Sequence, residues 1–271
     1  MADTDVVEHK FNNDEMDEVI DWEESLEPVP ILSGEEGQPV TPLTVIKPKP
    51  DEVTKDERNE EPYRSIGKLG MTYEVGVNQY RMRYSSGWVV ATRAFITAGH
   101  CVYKHNLSGK EWPRNGRFEP RFHLKESKYY KVIAIYTLAG WVNSKKPAYD
   151  MAACVIGEDF ANTEPPLQFD TKSLKRTKSY TAVGYPGKPI GEFDYSGERM
   201  WKCVGKGQDA GALKLAENNF TSGASGGPWF DNDTNYVVTG INSFRRDNQN
   251  VLYSPYFKNG FQKLFDIVSK K

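Results

Sequence analysis

The stretch that decides the reading is Asn219-Phe220-Thr221-Ser222-Gly223-Ala224-Ser225-Gly226-Gly227-Pro228-Trp229-Phe230. It sets one serine in a turn made almost wholly of small residues, directly before an apolar run. Glycines at 223, 226 and 227 permit positive φ and close backbone approach, the geometry that presents a hydroxyl beside bare amide N–H groups. Taken alone, such a turn also suits a plain hairpin. Two further stretches narrow it: Phe95-Ile96-Thr97-Ala98-Gly99-His100-Cys101-Val102 upstream, and Tyr149-Asp150-Met151-Ala152-Ala153-Cys154-Val155-Ile156 between the two. A base, an acid and a nucleophile therefore follow in that order, each flanked by apolar, strand-like residues.

A serine hydroxyl is a poor nucleophile until a base within hydrogen-bond reach accepts its proton. Of the four histidines, His9 lies in an acidic leader and His105 and His123 in polar stretches, which leaves His100 as the base. Asp150 would hold the imidazole tautomer and stabilise the cation formed. The amides of Gly223 and Ser225 would form an oxyanion hole, worth about 2.7–4 kcal/mol per donor. Each residue has a structural alternative: a buried histidine, an Asp before a strand, a glycine turn.

Together the three stretches resemble those of trypsin-like, chymotrypsin-fold serine endopeptidases, in which the triad runs His, Asp, Ser. The resemblance covers about residues 63–271. It implies an all-β fold of two six-stranded antiparallel barrels, and peptide-bond hydrolysis through an acyl-enzyme on Ser225. It also implies a protein or peptide substrate and neither cofactor nor metal. The triad separations, with Ser86-Gly87, Gly184-Tyr185-Pro186-Gly187, Met200-Trp201 and a terminal helix, look most similar to the bacterial glutamyl-endopeptidase-like branch.

That branch reads substrate with a histidine where this chain has Asn242 in Gly240-Ile241-Asn242-Ser243-Phe244, and with a threonine where it has Phe220. Asn242 and Phe220 would, by resemblance, take those substrate-binding places. By resemblance, Ser243, Phe244 and Arg245 would form the strand edge that pairs with substrate backbone, and Asn219 would sit at the base of the specificity pocket with Phe220. Arg245 and Arg246 would attract an acidic side chain, or else form a solvated hairpin tip. Ala224 stands where trypsin has the aspartate that receives a freed amino terminus, so that mode of activation is closed to this chain. A catalytically silent module that binds a partner peptide on the same barrels is the alternative reading.

The bulk numbers agree with one such domain plus an appendage. The chain has 271 residues and a formal net charge of −2, which hides an asymmetry. Residues 1–62 carry 19 Asp and Glu against 5 Lys and Arg, a net of −14; the rest carries 18 against 30, a net of +12. The basic residues of 63–271 are scattered and form no recognisable nucleic-acid module. The acidic 1–62 segment reads as a mostly disordered, propeptide-like or regulatory leader that masks the basic domain or recruits a regulatory protein. Within it, 13–26 would form a short amphipathic helix when docked, with Met16, Val19, Ile20 and Trp22; 27–62, with seven prolines, reads as an extended linker.

From Tyr63 on, short runs rich in Val, Ile, Tyr and Trp read as strands: 79–84, 87–91, 94–98, 129–136, 151–157, 179–184, 199–204, 212–215, 236–243 and 251–254. Phe261, Leu264, Phe265 and Val268 predict an amphipathic helix over 259–269. Three cysteines, Cys101, Cys154 and Cys203, form neither a disulfide framework nor a zinc pattern. With no secretory signal at 1–30 and no run of 18 apolar residues, the expectation is a protein of a reducing, cytoplasmic compartment, away from membranes.

Overall fold

The structure, a computed structural model, describes residues 1–11, 22–26, 49–124, 128–172, 177–209, 213–245 and 250–271. Fifteen strands fall among them: β1 (Val6–Lys10), β2 (Trp22–Leu26), β3 (Pro50–Glu52), β4 (Ile66–Gly76), β5 (Gln79–Ala91), β6 (Ala94–Thr97), β7 (Asn115–Pro120), β8 (Tyr130–Leu138), β9 (Ala152–Ile156), β10 (Thr177–Gly184), β11 (Trp201–Asp209), β12 (Leu213–Glu217), β13 (Pro228–Asp231), β14 (Val238–Ile241) and β15 (Val251–Pro255). The short helices are α1 (Lys55–Arg58), α2 (Gly99–Val102) and α3 (Ala139–Val142); α4 (Phe261–Val268) follows the last strand. Among the described residues, no helix is long and apolar enough to cross a membrane.

The strands make two antiparallel barrels of six. In the first, β4, β5, β6, β9, β8 and β7 pair in a ring that closes back on β4. In the second, the order β14-β13-β10-β11-β12-β15 is closed by the bridge between Phe244 and Tyr253. Closure removes the unpaired sheet edges that would otherwise invite aggregation. The first barrel is filled by Phe95 stacked on Phe118 at 4.1 Å, with β6 and β9 buried along their whole length. The second core gathers Tyr195, Trp201, Phe220 and Trp229. Helix α4 closes the first core: Phe261, Leu264 and Val268 are buried, and the Phe261 ring lies parallel to Trp88 at 6.0 Å. The spacing read from the sequence set that face.

Three pieces of the 1–62 segment pair with the barrels. β7 meets β8 only at Tyr130 and Lys131, and β1 takes the side left open from Ala134 to Leu138. β2 runs parallel along Tyr80–Tyr84 of β5, and β3 pairs with the start of β11. The helix expected over 13–26 is thereby corrected where it is described: Trp22–Leu26 is extended, because an open strand side offers it backbone partners. Residues 12–21 and 27–48, which hold the rest of that helix and most of the linker, lie outside the described residues. Residues 49–62 belong to the body. Val53 is fully buried, Arg58 is buried and donates to the Val53 carbonyl at 2.9 Å, and Thr54 with Glu57 forms a reciprocal capping box on α1.

Other expectations are also revised. The runs 79–84 and 87–91 are one strand, β5, continuous through Ser85-Ser86-Gly87. Strands β4 and β7 were not among the expected ones. Glycines weaken the strand signal of β4, yet Gly67 is what lets the two strands meet: a Cβ there would lie 2.6 Å from the Glu119 carbonyl oxygen.

Candidate active site

The serine turn is held by main-chain contacts on nearly every residue. Gly223 and Gly226 take φ of +94° and +85°, open to glycine without strain. The Ser222 carbonyl accepts from the Gly187 amide at 2.6 Å, and the Ala224 carbonyl from Asn242 Nδ2 at 2.8 Å and the Gly227 amide at 3.2 Å. In a planar trans peptide the N–H points opposite the C=O. Pinning those two carbonyls therefore turns the Gly223 and Ser225 N–H groups the other way. Neither donates to another described residue.

Ser86 of β5 brackets the turn to the first barrel. Its amide donates to the Ser225 carbonyl at 2.7 Å; its hydroxyl donates to the Gly223 carbonyl and accepts from the Tyr185 amide, each at 2.9 Å. At Gly226 there is no room for a side chain: a Cβ would stand 2.2 Å from Thr97 Oγ1 and 2.9 Å from the Ala98 amide nitrogen. The Ser225 turn thus lies against the chain just ahead of His100.

His100 and Asp150 come from neighbouring strand ends. β6 and β9 pair antiparallel with Thr97 opposite Ala152, so α2 after β6 and the turn before β9 meet at one end of the barrel. The His100 amide donates to Asp150 Oδ1 at 2.7 Å, and His100 Nδ1 pairs with Oδ2 at 2.8 Å. Ser243 donates its hydroxyl to the same Oδ2. Burial works against charge on Asp150, but the facing His100 and these hydrogen bonds hold its carboxyl below the usual range. Burial likewise works against a charged His100; the Asp150 charge, the neighbouring Cys101 and the hydrogen bonds to both together more than offset it and carry the imidazole above its ordinary value. His100, Asp150 and Ser225 are all buried. His100 Nε2 and Ser225 Oγ, an acceptor and a donor, have no hydrogen-bond partner among the described residues.

Residues 85–241 match the family model of the trypsin-like peptidase domain, more than half of the chain. The chain belongs to the trypsin-like peptidase family. Its fold is similar to that of the protease Anisep from Arthrobacter nicotinovorans, at a TM-score of 0.67 and 23% identity over 78% of this chain and 98% of that one. A thermostable serine protease, AL20, from an extremophilic microorganism is similar at 0.65 and 26% identity, over 77% and 98%. A Glu endopeptidase is similar at 0.66 and 19% identity, over 82% and 97%. Among curated proteins, the extracellular metalloprotease of Bacillus subtilis (strain 168) is 27% identical over 184 residues, 66% of this chain and 55% of that protein. The chain thus spans about half the length of that relative. Among the described residues here, no group of three or more His, Cys, Asp or Glu is placed to hold a metal ion.

The remaining residues singled out in this trypsin-like chain divide. Asn242 is turned inward: Nδ2 donates to the Val183 and Ala224 carbonyls at 2.9 and 2.8 Å, and Oδ1 accepts from Trp229 Nε1 at 2.7 Å. Its expected place against substrate is corrected to that of a brace, because both of its amide hydrogens are spent inside. Asn219 is fully buried and accepts from the Tyr195 hydroxyl at 2.9 Å, with Phe220 edge-on to the same ring. Both are struts behind the turn rather than open side chains. The Ser243 hydroxyl is spent on Asp150 and its amide on the Tyr253 carbonyl at 3.1 Å, which leaves its carbonyl for any substrate pairing. Phe244 stacks flat on Tyr253 at 4.9 Å and fixes the edge where Arg245, half-buried, begins. Arg246 lies outside the described residues. Ser86 as inter-barrel bracket and Ser243 as ligand of Asp150 were not read from the sequence, where nothing marks a hydroxyl for a partner 93 residues away.

Proposed function

We propose that this chain is a serine endopeptidase in which Ser225, His100 and Asp150 act as the triad and the Gly223 and Ser225 amides as the oxyanion hole. The observation that carries the reading is the pair of buried, unpartnered atoms, Ser225 Oγ and His100 Nε2, with Nδ1 of the same imidazole held on Asp150. In the acylation step Ser225 Oγ bonds to the substrate carbonyl carbon and its proton passes to His100 Nε2. The carbonyl oxygen takes negative charge facing the two amides. The scissile C–N bond then breaks and the amine leaves with the proton from His100. Water attacks the acyl-enzyme by the same route in reverse, giving its proton to His100 and releasing the acid as Ser225 is reprotonated.

The reading extends to protein or peptide substrates, aligned along the Ser243–Arg245 backbone. Regulation by the acidic N-terminal segment, or by a protein partner bound to it, is part of the proposal in narrowed form. Residues 1–11, 22–26 and 49–62 are paired into the body, so a removable piece would lie within 12–21 or 27–48. The three cysteines are buried and form no disulfide among the described residues, which supports maturation in a reducing compartment. A second reading, a silent peptide-binding module, is favoured by one observation: no hydrogen bond joins Ser225 to His100 at rest. Labelling of the folded protein with a fluorophosphonate serine probe separates the two. Labelling that vanishes in Ser225→Ala is expected of the enzyme; folded protein that takes no label would leave only the binding module.

A further inference from the structure

The start of the chain is bonded into the part of the first barrel that carries Asp150. β1 pairs with β8 from Val6 opposite Leu138 to Lys10 opposite Ala134. Beyond the strand, the Ala139 amide donates to the Asp5 carbonyl and the Gly140 amide to the Asp3 carbonyl, both at 2.8 Å. Lys146 reaches the Asp3 carboxylate at 2.6 Å, and Lys263 of α4 donates to the Thr4 hydroxyl at 3.0 Å. Exposed side-chain contacts of this kind are screened by solvent and contribute little. The backbone ladder is therefore what holds the segment.

These contacts land on residues 139–150, a self-bonded turn with both ends in the site. Inside it the Asn143 amide donates to the Ala139 carbonyl at 2.8 Å, and the Lys146 amide to the Gly140 carbonyl at 3.0 Å. Near its start the Trp141 ring stands edge-on to His100 at 6.2 Å and backs onto Gly99, where a Cβ would lie 3.0 Å from it. Its last residue is Asp150. At Gly140 the packing has no slack: a Cβ there would meet the Tyr149 ring at 2.6 Å and Asp3 Cβ at 3.0 Å. Asp3, Gly140 and Tyr149 thus lie in contact, one residue ahead of the acid that orients His100.

We propose that residues 2–10 are a positioning element: docked on β8, they hold the 139–150 turn and, through it, Asp150 and Trp141 against His100. The first ten residues of the acidic segment then sustain activity, the opposite of a masking propeptide. The inference rests on the serine-endopeptidase reading of the site. None of these residues touches the reacting atoms, so their effect falls on turnover rather than on substrate binding.

The test uses the full chain. The Phe11 amide donates to the Ile133 carbonyl of β8 and the Asp5 carbonyl accepts from Ala139 just past its end, so the period of two turns Val7 and His9 toward β8 as well. Val7→Pro removes one of those ladder donors. Hydrogen exchange at the Ala139 and Gly140 amides is expected to speed up by about tenfold or more as the segment opens. For a short peptide substrate, kcat is expected to fall about tenfold through misplaced geometry, with KM held within about twofold. A peptide of residues 1–11 added in trans is expected to restore kcat, and the same peptide carrying Val7→Pro to fail.

Should Val7→Pro prevent folding, Lys146→Glu decides. It sets like charge against Asp3 and is expected to lower kcat about threefold, with Asp3→Lys in the same chain restoring it. Amides that stay protected, or turnover unchanged or raised once they open, would overturn the proposal; so would a Lys146→Glu chain whose Ala139 and Gly140 amides open while turnover stays normal. Wild-type protein that is folded yet takes no fluorophosphonate label fails the endopeptidase reading instead. A labelled wild type with an unaffected Val7→Pro variant fails this inference alone.

Discussion

The two halves of the site are held in different ways. The Ser225 half is a turn within one short stretch, fixed by backbone bonds at Ser222, Gly223, Ala224 and Ser225 and by glycines at the two positions where φ is positive. The His100–Asp150 half is fixed by side chains from distant places: Ser243 from beyond β14, Trp141 from α3, and through the 139–150 turn the first residues of the chain. The first half is written locally and carries its own conformational constraints. The second is assembled, and each of its supports can be removed separately. That difference teaches where perturbations should be absolute and where they should be graded.

The largest effects fall where the halves meet. Ser225→Ala and His100→Ala are each expected to lower kcat by about a millionfold, and the double variant hardly further, since the two groups act as a unit. Additive losses in peptide hydrolysis would break the claim that they do. Asp150→Asn removes the support for the tautomer and is expected to cost about ten-thousandfold in kcat. It should also move the pH profile. Activity needs neutral His100, and the Asp150 charge raises its pKa above the ordinary 6.5. The wild-type acid limb of kcat/KM therefore lies above that pH, with activity rising as pH rises through the raised value. Removing the carboxylate charge takes away the largest contribution that favours the cation, while burial still favours the neutral ring, so the limb should move to lower pH.

Next come the braces. Asn242→Ala strips partners from the Val183 and Ala224 carbonyls and from the Trp229 indole. Thermal or urea unfolding should show a loss of about 2–4 kcal/mol from buried groups left unpaired. As the peptide that aims the Ser225 amide loosens, kcat should fall about a hundredfold. Ser243→Ala removes one donor from Asp150 and leaves the two His100 bonds, so kcat should fall only about tenfold. If Ser243→Ala cost more than Asn242→Ala, the view of a locally fixed and an assembled half would have to be reversed.

The same contrast explains what was legible in the sequence. The residues proposed as triad and oxyanion amides could be singled out because each sits in a short stretch with its own signature: the glycine turn around Ser225, and apolar strand residues beside His100 and Asp150. The barrels could be read from runs of Val, Ile, Tyr and Trp, and α4 from its spacing. β4 could not, because Gly67, Gly70 and Gly76 look like loop residues until the strand they press against is known. The inward place of Asn242 and the bond from the Ser243 hydroxyl were missed for a different reason. Their side chains look free to meet a ligand, and only the fold shows that Val183, 59 residues away, and Asp150 have already taken them. The docking of Val6–Lys10 on β8 was hidden in the same way, since a charged leader shows no mark of the open strand side it will cover.

The most direct measurement is the mass of the protein after brief reaction with a peptide ester, quenched in acid, with the adduct located by fragmentation. The account predicts one acyl group per chain, on Ser225, absent from Ser225→Ala and present but slowly formed in Asp150→Asn. Turnover of peptide substrate with no acyl adduct, or with the adduct on another residue, would contradict it.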